Sequence, residues 1–354
     1  MPVLAIAGGT SASLGRAIVS AIISSQATAA WSTVILSRSS NRPLWLRAID
    51  GGGVRTQIRT VDYLDIDSVA AALDNVHTLV SVVSAVDGTQ ARVQINLLDA
   101  AIQAGCRRFA PSYWGFGPLG WENISFLKET GDPVWKACSD SKDKIECAKF
   151  NVGTFMNYLG HGIYPNPAAA SIDEASELKA LQNGHGYSPG EDAACQGLQR
   201  QGDLKDGSGG LLIGIKNAIA ELPVKEAGQW PRITLTSLRD VGKFFAASLS
   251  LSTWEEEMTM VGETLTVGEL LTEAEAATGR KFSITTFTKD SLLERRKTLG
   301  PDDFDELLWT DLKLAYVRDL DDEAVLRPVV NRLCPEVQPE SVRSFLQAHW
   351  KVVS

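Results

Sequence analysis

The sequence predicts an α/β fold: a doubly wound parallel sheet followed by a smaller α+β unit. Three observations carry this. Short apolar runs alternate with segments of helical period from Val3 to Pro111, a Gly-rich turn joins the first run to the first helix, and the regularity fades beyond about residue 160. Val3–Ala7 reads as a buried strand that stops at Gly8-Gly9. Leu14, Ile18 and Ile22 then recur at helical spacing, with Ala17 and Ala21 on the adjoining positions. Val34–Leu36 and Val54–Val61 are the second and third strands. Asp67–Leu73 is helical and leads to a Val-rich fourth strand, Leu79–Val83. A helix over residues 91–104 closes at Gly105, and Arg108–Pro111 is the fifth strand. Alternation at this spacing implies parallel strands with helices on both faces.

Residues 165–210 are rich in Gly, Pro, Ala, Ser and Asp, including Pro165-Asn166-Pro167 and Asp206-Gly207-Ser208-Gly209-Gly210. They read as a long loop of the lid or binding kind, with a helix over Ile172–Leu181. Strand character resumes at Thr234–Leu235, and Asp240–Leu251 is an apolar helix. Another helix runs over Thr266–Thr278, where Thr266 and Glu269 have the spacing of a capping box. Acidic helices follow from Lys289. The expected division is 1–160 for the sheet domain and 161–354 for a substrate-binding domain, with residues near 231–245 returning to pack on the sheet.

The chain has 354 residues, of which 44% are hydrophobic and 22% charged. That suffices for one large domain or two modest ones without disulfide or metal staples. A net charge of −9 repels phosphate backbones and anionic lipid, so neither nucleic acid nor a membrane is an expected partner. The five cysteines contain no C-x-x-C pair and the four histidines no H-E-x-x-H, so no metal site is expected. The start lacks a cationic segment followed by a long apolar run, and no eighteen consecutive residues are apolar. A cytoplasmic protein acting on a small molecule is the expectation, with monomer and homodimer both open.

The first turn reads Gly8-Gly9-Thr10-Ser11-Ala12-Ser13-Leu14-Gly15. A tight Gly-rich turn lets backbone approach a pyrophosphate, and the helix behind it offers N–H groups and a positive dipole end. Read as G-x-G-x-x-G, the middle glycine is missing. Read as G-x-x-x-G-x-G ending at Gly15, Ser13 replaces it and can offer a hydroxyl and an N–H. An ordinary Gly-rich turn is the alternative; the position after an N-terminal strand favours a nucleotide. The second strand ends in Ser37-Arg38-Ser39-Ser40, then Arg42. A basic residue here accommodates the 2′-phosphate of NADP, where an acidic one would bind the ribose hydroxyl of NAD. Unless Arg38 is merely a solvated loop arginine, the expected cofactor is NADP(H), with Arg38 and Arg42 forming the local positive site.

Gln94–Gly120, QINLLDAAIQAGCRRFAPSYWGFGPLG, resembles the helix and fifth strand of NmrA-like proteins and of isoflavone and phenylcoumaran benzylic ether reductases, which are atypical short-chain dehydrogenases. Gly153–Leu159 (GTFMNYL), Pro231–Gly242 (PRITLTSLRDVG), Trp254–Gly262 (WEEEMTMVG) and Ala274–Lys281 (AEAATGRK) extend the likeness, which is to the fungal type and covers most of the chain. The resemblance implies an NAD(P)-binding Rossmann domain, a smaller substrate domain and an active site in the cleft between them. It places cofactor contacts on Gly9, Thr10, Ser13, Leu14 and Arg38, with Ser37 and Ser39 beside it. Asp62 and Tyr63 fall near the adenine, Ser84 and Ala85 toward the ribose and nicotinamide, and Pro111, Ser112, Asn151, Gly153 and Phe155 at the nicotinamide end.

The catalytic group departs from that pattern. No tyrosine has a lysine four residues later, the dyad that lowers a tyrosine pKa in short-chain dehydrogenases. The reductase branch uses a lysine on the helix after the PS.FG strand, and here Lys128 and Lys136 are the candidates. Asp132-Pro133 reads as the N-cap and first position of that helix. Tyr113 stands where relatives commonly carry Glu and offers a phenol for proton donation, or packs beside Trp114 and Phe116. Trp114, Tyr158 and His161 are candidate substrate contacts. The leading expectation is an NADPH-dependent reductase of an aromatic or polyketide-like molecule in secondary metabolism. A non-redox cyclase, isomerase or dehydratase and a non-catalytic NADP-sensing regulator are the alternatives.

Overall fold

The computed structural model describes residues 1–85, 87–163, 173–193, 212–300 and 302–350. Most of the 165–210 stretch, and with it the start of the helix expected at Ile172, lies outside the described residues. The first half builds strands and helices in alternation: β1 (Val3–Ala7), α1 (Leu14–Ser24), β2 (Ser32–Ser37), α2 (Leu44–Ile49), β3 (Thr56–Thr60), α3 (Ile66–Ala72), β4 (Thr78–Ser81), α4 (Gln90–Gln103) and β5 (Arg108–Ala110). Two helices follow, α5 (Pro118–Asn123) and α6 (Ser125–Asp140), then a short edge strand β6 (Glu146–Cys147). These strands form one parallel sheet in the order β3-β2-β1-β4-β5-β6. That is a doubly wound Rossmann-type fold whose strand order reverses between β1 and β4, and ligands bind outside the carboxyl ends of strands at such a switch.

The remainder is two small mixed sheets with helices. β7 (Thr154–Phe155) pairs parallel with β10 (Arg232–Thr236), which pairs antiparallel with β11 (Glu263–Thr266). β8 (Ile213–Gly214) and β12 (Ser283–Phe287) flank β9 (Ile219–Pro223). Because β7 already belongs to the β10 sheet, the chain leaves the parallel sheet a few residues before position 160. The helices are α7 (Glu174–Asn183), α8 (Leu238–Ser248), α9 (Val267–Thr278), α10 (Lys289–Lys297), α11 (Phe304–Arg318), α12 (Val329–Leu333) and α13 (Val342–Trp350). The capping box on α9 forms as its sequence predicts: Thr266 Oγ1 accepts from the Glu269 N–H at 3.1 Å, and the Glu269 carboxylate accepts from the Thr266 N–H at 2.8 Å.

Among the described residues four apolar clusters hold these layers, the smallest being Leu292, Leu314 and Val317 between α10 and α11. Leu4, Ile6 and Ile35 of the sheet meet Ile18, Val19 and Ile22 of α1 and Val241, Phe244 and Phe245 of α8 on one face. Ala5, Leu36 and Leu79 meet Val69, Leu97 and Ala101 on the other. The third cluster, around Leu222, Ile233, Leu270 and Phe345, forms the core of the C-terminal part. The α1–α8 contact is close because Gly242 has no side chain: a Cβ there would sit 2.4 Å from the Ala17 carbonyl oxygen.

One expected boundary is corrected. Pro133 does not open a helix; α6 runs through it from Ser125 to Asp140. Proline removes one intrahelical hydrogen bond and crowds the carbonyl four residues back. Around it, Thr130 Oγ1 bonds back to the Phe126 and Leu127 carbonyls, and the Gly131 carbonyl takes a hydrogen bond from outside the helix, from Tyr113. Lys128 and Lys136 therefore ride on one continuous helix.

Candidate active site

At the tip of β1 the backbone turns through Gly8, at φ +80°, a left-handed conformation that favours glycine. Its N–H donates to the Leu36 carbonyl at 3.1 Å and to the Tyr63 hydroxyl at 3.0 Å, while that hydroxyl donates to Leu36 O at 2.7 Å. Tyr63 is buried, and desolvation pushes its phenol up to about 12. Its hydroxyl is thus a brace between the tips of β1 and β2, spoken for before any adenine arrives. Ser11 Oγ accepts from the Gly15 N–H at 3.0 Å and closes the turn. A Cβ on Gly15 would lie 2.6 Å from that Oγ and 2.7 Å from the Gly8 carbonyl oxygen, so the tight turn excludes any side chain there.

Ser13 caps α1 without a side-chain capping bond, and its Oγ is buried with no hydrogen-bond partner among the described residues. A buried hydroxyl without a partner carries a desolvation cost that a ligand oxygen can relieve. It stands at the N-terminus of an eleven-residue helix, where free N–H groups and the helix dipole favour an anion. Leu14, the next residue, packs against the core beneath. Thr10 Oγ1 lies 3.5 Å from Ser37 Oγ, which also accepts from the Ser39 N–H at 3.3 Å. These groups fit a diphosphate and its neighbouring ribose.

The two arginines after β2 part company. Arg38 is exposed and makes no ion pair among the described residues. Arg42 turns inward: its Nη2 donates to Asp50 Oδ2 at 2.9 Å, the Asp50 carbonyl at 2.6 Å and Thr56 Oγ1 at 2.8 Å. The expectation that Arg42 shares a phosphate site is corrected: its guanidinium compensates a buried carboxylate. Burial alone would raise the Asp50 pKa, but donors from Thr56, the Arg55 backbone and Arg42 outweigh it and hold the carboxyl below its usual range.

The floor of the crevice is held by two glutamines of α4 that the sequence reading did not single out as site residues. Gln90 accepts from the Ala85 N–H at 2.8 Å and donates to Val83 O at 3.2 Å. Gln94 accepts from the Ser112 N–H at 3.1 Å and donates to the same Val83 carbonyl at 3.4 Å. Their i,i+4 spacing aims both at the tips of β4 and β5. Ser84 is left exposed there, Pro111 is buried, and exposed Asp62 caps its own turn by accepting from the Leu64 N–H at 2.9 Å. Gly153, at φ +71°, lets the backbone pass the Thr234 carbonyl, which a Cβ would approach to 2.5 Å.

Several expected contacts are structural instead. Tyr113 packs on Trp121, with ring centroids 4.1 Å apart, and donates to Gly131 O at 2.7 Å. Burial drives its phenol far above the ordinary range, which makes it a poor acid. Trp114 is a core residue: its Nε1 donates to Ser81 O at 2.8 Å, and its ring stacks on Phe150 at 5.6 Å. The Asn151 side chain is consumed by Trp121 and Glu257. Lys136 lies in solvent, paired with Asp140 at 2.6 Å and 75% exposed, and Lys128 is also exposed. The buried lysine of this region is Lys149, ion-paired with Glu257 and 4.2 Å from the Trp135 ring centroid. No motif marked it, because it meets Trp135 and Glu257 only in the folded chain.

Beyond β6, Phe155 is buried and its ring lies 6.3 Å from Tyr158, which neighbours His161 at 5.6 Å. Phe155 and Tyr158 line a small cavity of about 20 Å³ with Thr154, Ile233 and Tyr316. The Thr154 and Tyr316 hydroxyls are 2.5 Å apart. A larger hollow, about 760 Å³, opens beside Arg107, Lys142 and Glu146. It faces the opposite, N-terminal ends of β5 and β6, so the strand-tip site does not use it.

No model of a known protein family matches the chain. An oxidoreductase, BOA1, from Botryotinia fuckeliana (strain B05.10) is 25% identical over 284 residues, covering 79% of this chain and 77% of that protein. The ternary complex of leucoanthocyanidin reductase from Vitis vinifera superposes with a TM-score of 0.63 at 17% identity, covering 97% of this chain and 98% of the reductase. An NADPH-dependent quinone oxidoreductase from Escherichia coli, in complex with NADPH, gives 0.59 at 16% identity over the same shares. At such identities the structural likeness establishes the fold, and activity must be argued from the site. Among the described residues, no helix is long and apolar enough to cross a membrane.

Proposed function

We propose that the chain is an NADP(H)-dependent oxidoreductase that reduces a small aromatic or polyketide-like molecule, in secondary metabolism. The observation that carries it is the strand-tip cradle: the unpartnered Ser13 Oγ at the α1 N-terminus, with uncommitted Arg38 beside the Thr10–Ser37 pair. The oxidoreductase relative and the NADPH-bound structural neighbour support the same reading. Gly9, Thr10, Ser13 and Leu14 would hold the diphosphate, and Ser37, Arg38 and Ser39 the 2′-phosphate. Ser84, Ala85, Pro111, Ser112 and Gly153 would shape the nicotinamide end. Bound NADPH supplies hydride. Proton delivery falls to hydroxyls rather than a lysine: Tyr158 and the Thr154–Tyr316 pair line the apolar cavity beyond β6, with His161 next to Tyr158.

Titration of purified protein with NADPH and NADH, followed by NADPH consumption over a panel of aromatic ketones and quinones, tests this reading. Tighter binding of NADPH and turnover of at least one compound are expected. Failure to bind NADPH refutes it. The commitment of Tyr113 to Gly131 and of Lys136 to Asp140 favours a second reading, a non-redox isomerase or cyclase. Turnover by cofactor-free protein would select that one.

A further inference from the structure

Arg16 is among the largest fully buried side chains of the described residues, 1% exposed, one residue past the Gly8–Gly15 turn. Its Nε and Nη2 both donate to the Ala12 carbonyl, at 3.0 and 2.7 Å. Nη1 donates to the Gly186 carbonyl at 2.9 Å, and Nη2 pairs with Glu191 at 2.7 Å. The Tyr187 ring lies against the guanidinium at 4.7 Å and against Arg239 on another side at the same distance. A cation in the first turn of a helix opposes the dipole, and a buried one is costly without a counter-charge. Here Glu191 supplies the counter-charge, and the Ala12 and Gly186 carbonyls take the other donors.

We propose that Arg16, held by Gly186, Tyr187 and Glu191, is a positioning residue for the dinucleotide phosphates, so that residues 186–191 control cofactor affinity. This rests on the NADP(H) reading above. In a planar trans peptide the carbonyl and the following N–H point opposite ways. Clamping the Ala12 carbonyl from one side therefore aims the Ser13 N–H away from Arg16, and the unpartnered Ser13 Oγ is fixed by the same turn. The clamp is a planar fork with several donors in fixed geometry, which lysine cannot reproduce. Its outer half comes from residues far along the chain, within the 165–210 stretch that the sequence marks as a lid or binding loop.

The test compares wild type with Arg16→Lys, Tyr187→Ala, Tyr187→Phe and, as a control on a surface pair joining the same segment to α2, Glu174→Gln. Arg16→Lys and Tyr187→Ala should each raise the NADPH Kd about tenfold while kcat at saturating NADPH stays within twofold. Tyr187→Phe, which keeps the ring, should recover most of the loss, and Glu174→Gln should bind as wild type does. NADPH should also slow amide exchange over residues 184–192 of the unmodified protein, since coupling between two sites is reciprocal. Unchanged affinity in folded Arg16→Lys, or exchange indifferent to NADPH, overturns the inference and leaves the cofactor reading standing. Wild type that fails to bind NADPH overturns both.

Discussion

At the β1–α1 turn and the end of β2, several groups of the candidate phosphate site are positioned by residues within a few places of them: Gly15 by Ser11, Ala12 by Arg16, Ser39 by Ser37. At the β5–β7 end each group answers to a distant one. Tyr113 is tied to Gly131, Trp114 to Ser81, Asn151 to Glu257 and Thr154 to Tyr316. A phosphate has one shape, and a short stretch of backbone can be written to fit it. A substrate pocket is assembled from side chains that meet only once the chain has folded, and it can vary without disturbing the first site.

The sharpest way to break this contrast is Gly15→Val. With no room for a Cβ, the turn must open, and the NADPH Kd should rise at least about a hundredfold, some 2.7 kcal/mol, in a fluorescence titration. Binding that survives would place the phosphates elsewhere. Next come the two arginines. Arg38→Ala should weaken NADPH about tenfold or more and leave NADH nearly untouched, because only the former has a 2′-phosphate for a guanidinium to meet. Arg42→Ala should do the reverse: unchanged cofactor preference, but about 2–3 kcal/mol of stability lost in a urea titration as Asp50 is stranded. The Asp50 carboxyl titrates below its unfolded value, near 3.9. Its contribution is therefore present above that pH and lost as pH falls through the folded value, and Arg42→Ala should flatten this acid limb.

At the other end, Tyr158→Phe should lower kcat about tenfold with the NADPH Kd unchanged, the size of effect expected for a proton donor that water partly replaces. Equal loss in both parameters would make Tyr158 a cofactor contact and blur the two regions. Lys136→Ala should do least: within about 0.5 kcal/mol in stability, as an exposed i,i+4 pair is worth, and no change in kcat. A large loss of kcat would restore the lysine mechanism.

The same contrast explains what was legible in the sequence. The alternation of strands and helices, the Gly8 turn and the Thr266–Glu269 box follow from period, glycine and capping rules that act over a few residues; the order of the strands in the sheet does not. Arg38 and Arg42 sit in one polar stretch, and nothing local says that one faces solvent and the other Asp50. Pro133 carried a helix-start signal, yet α6 runs through it from Ser125 to Asp140. Nothing in the sequence singles out Arg16, because its partners, Gly186 and Glu191, lie far down the chain. Lys149 went unmarked for the same reason, and Trp114 looked available to substrate until Ser81 and Phe150 claimed it.

The close seat of Gly242 against Ala17 bears on how the protein is made. α1 leaves the ribosome well before α8, which covers it. At 5–20 residues per second, on the order of ten seconds or more separate the two. During that interval the Ile18–Val19–Ile22 face has no partner helix, and the Arg16 charge has no Glu191. Each nascent chain therefore carries an exposed apolar stripe beside its unfinished nucleotide turn, the surface a chaperone recognises. On the role proposed for Arg16, full cofactor affinity comes late in synthesis, once Glu191 has been made and has reached the first helix.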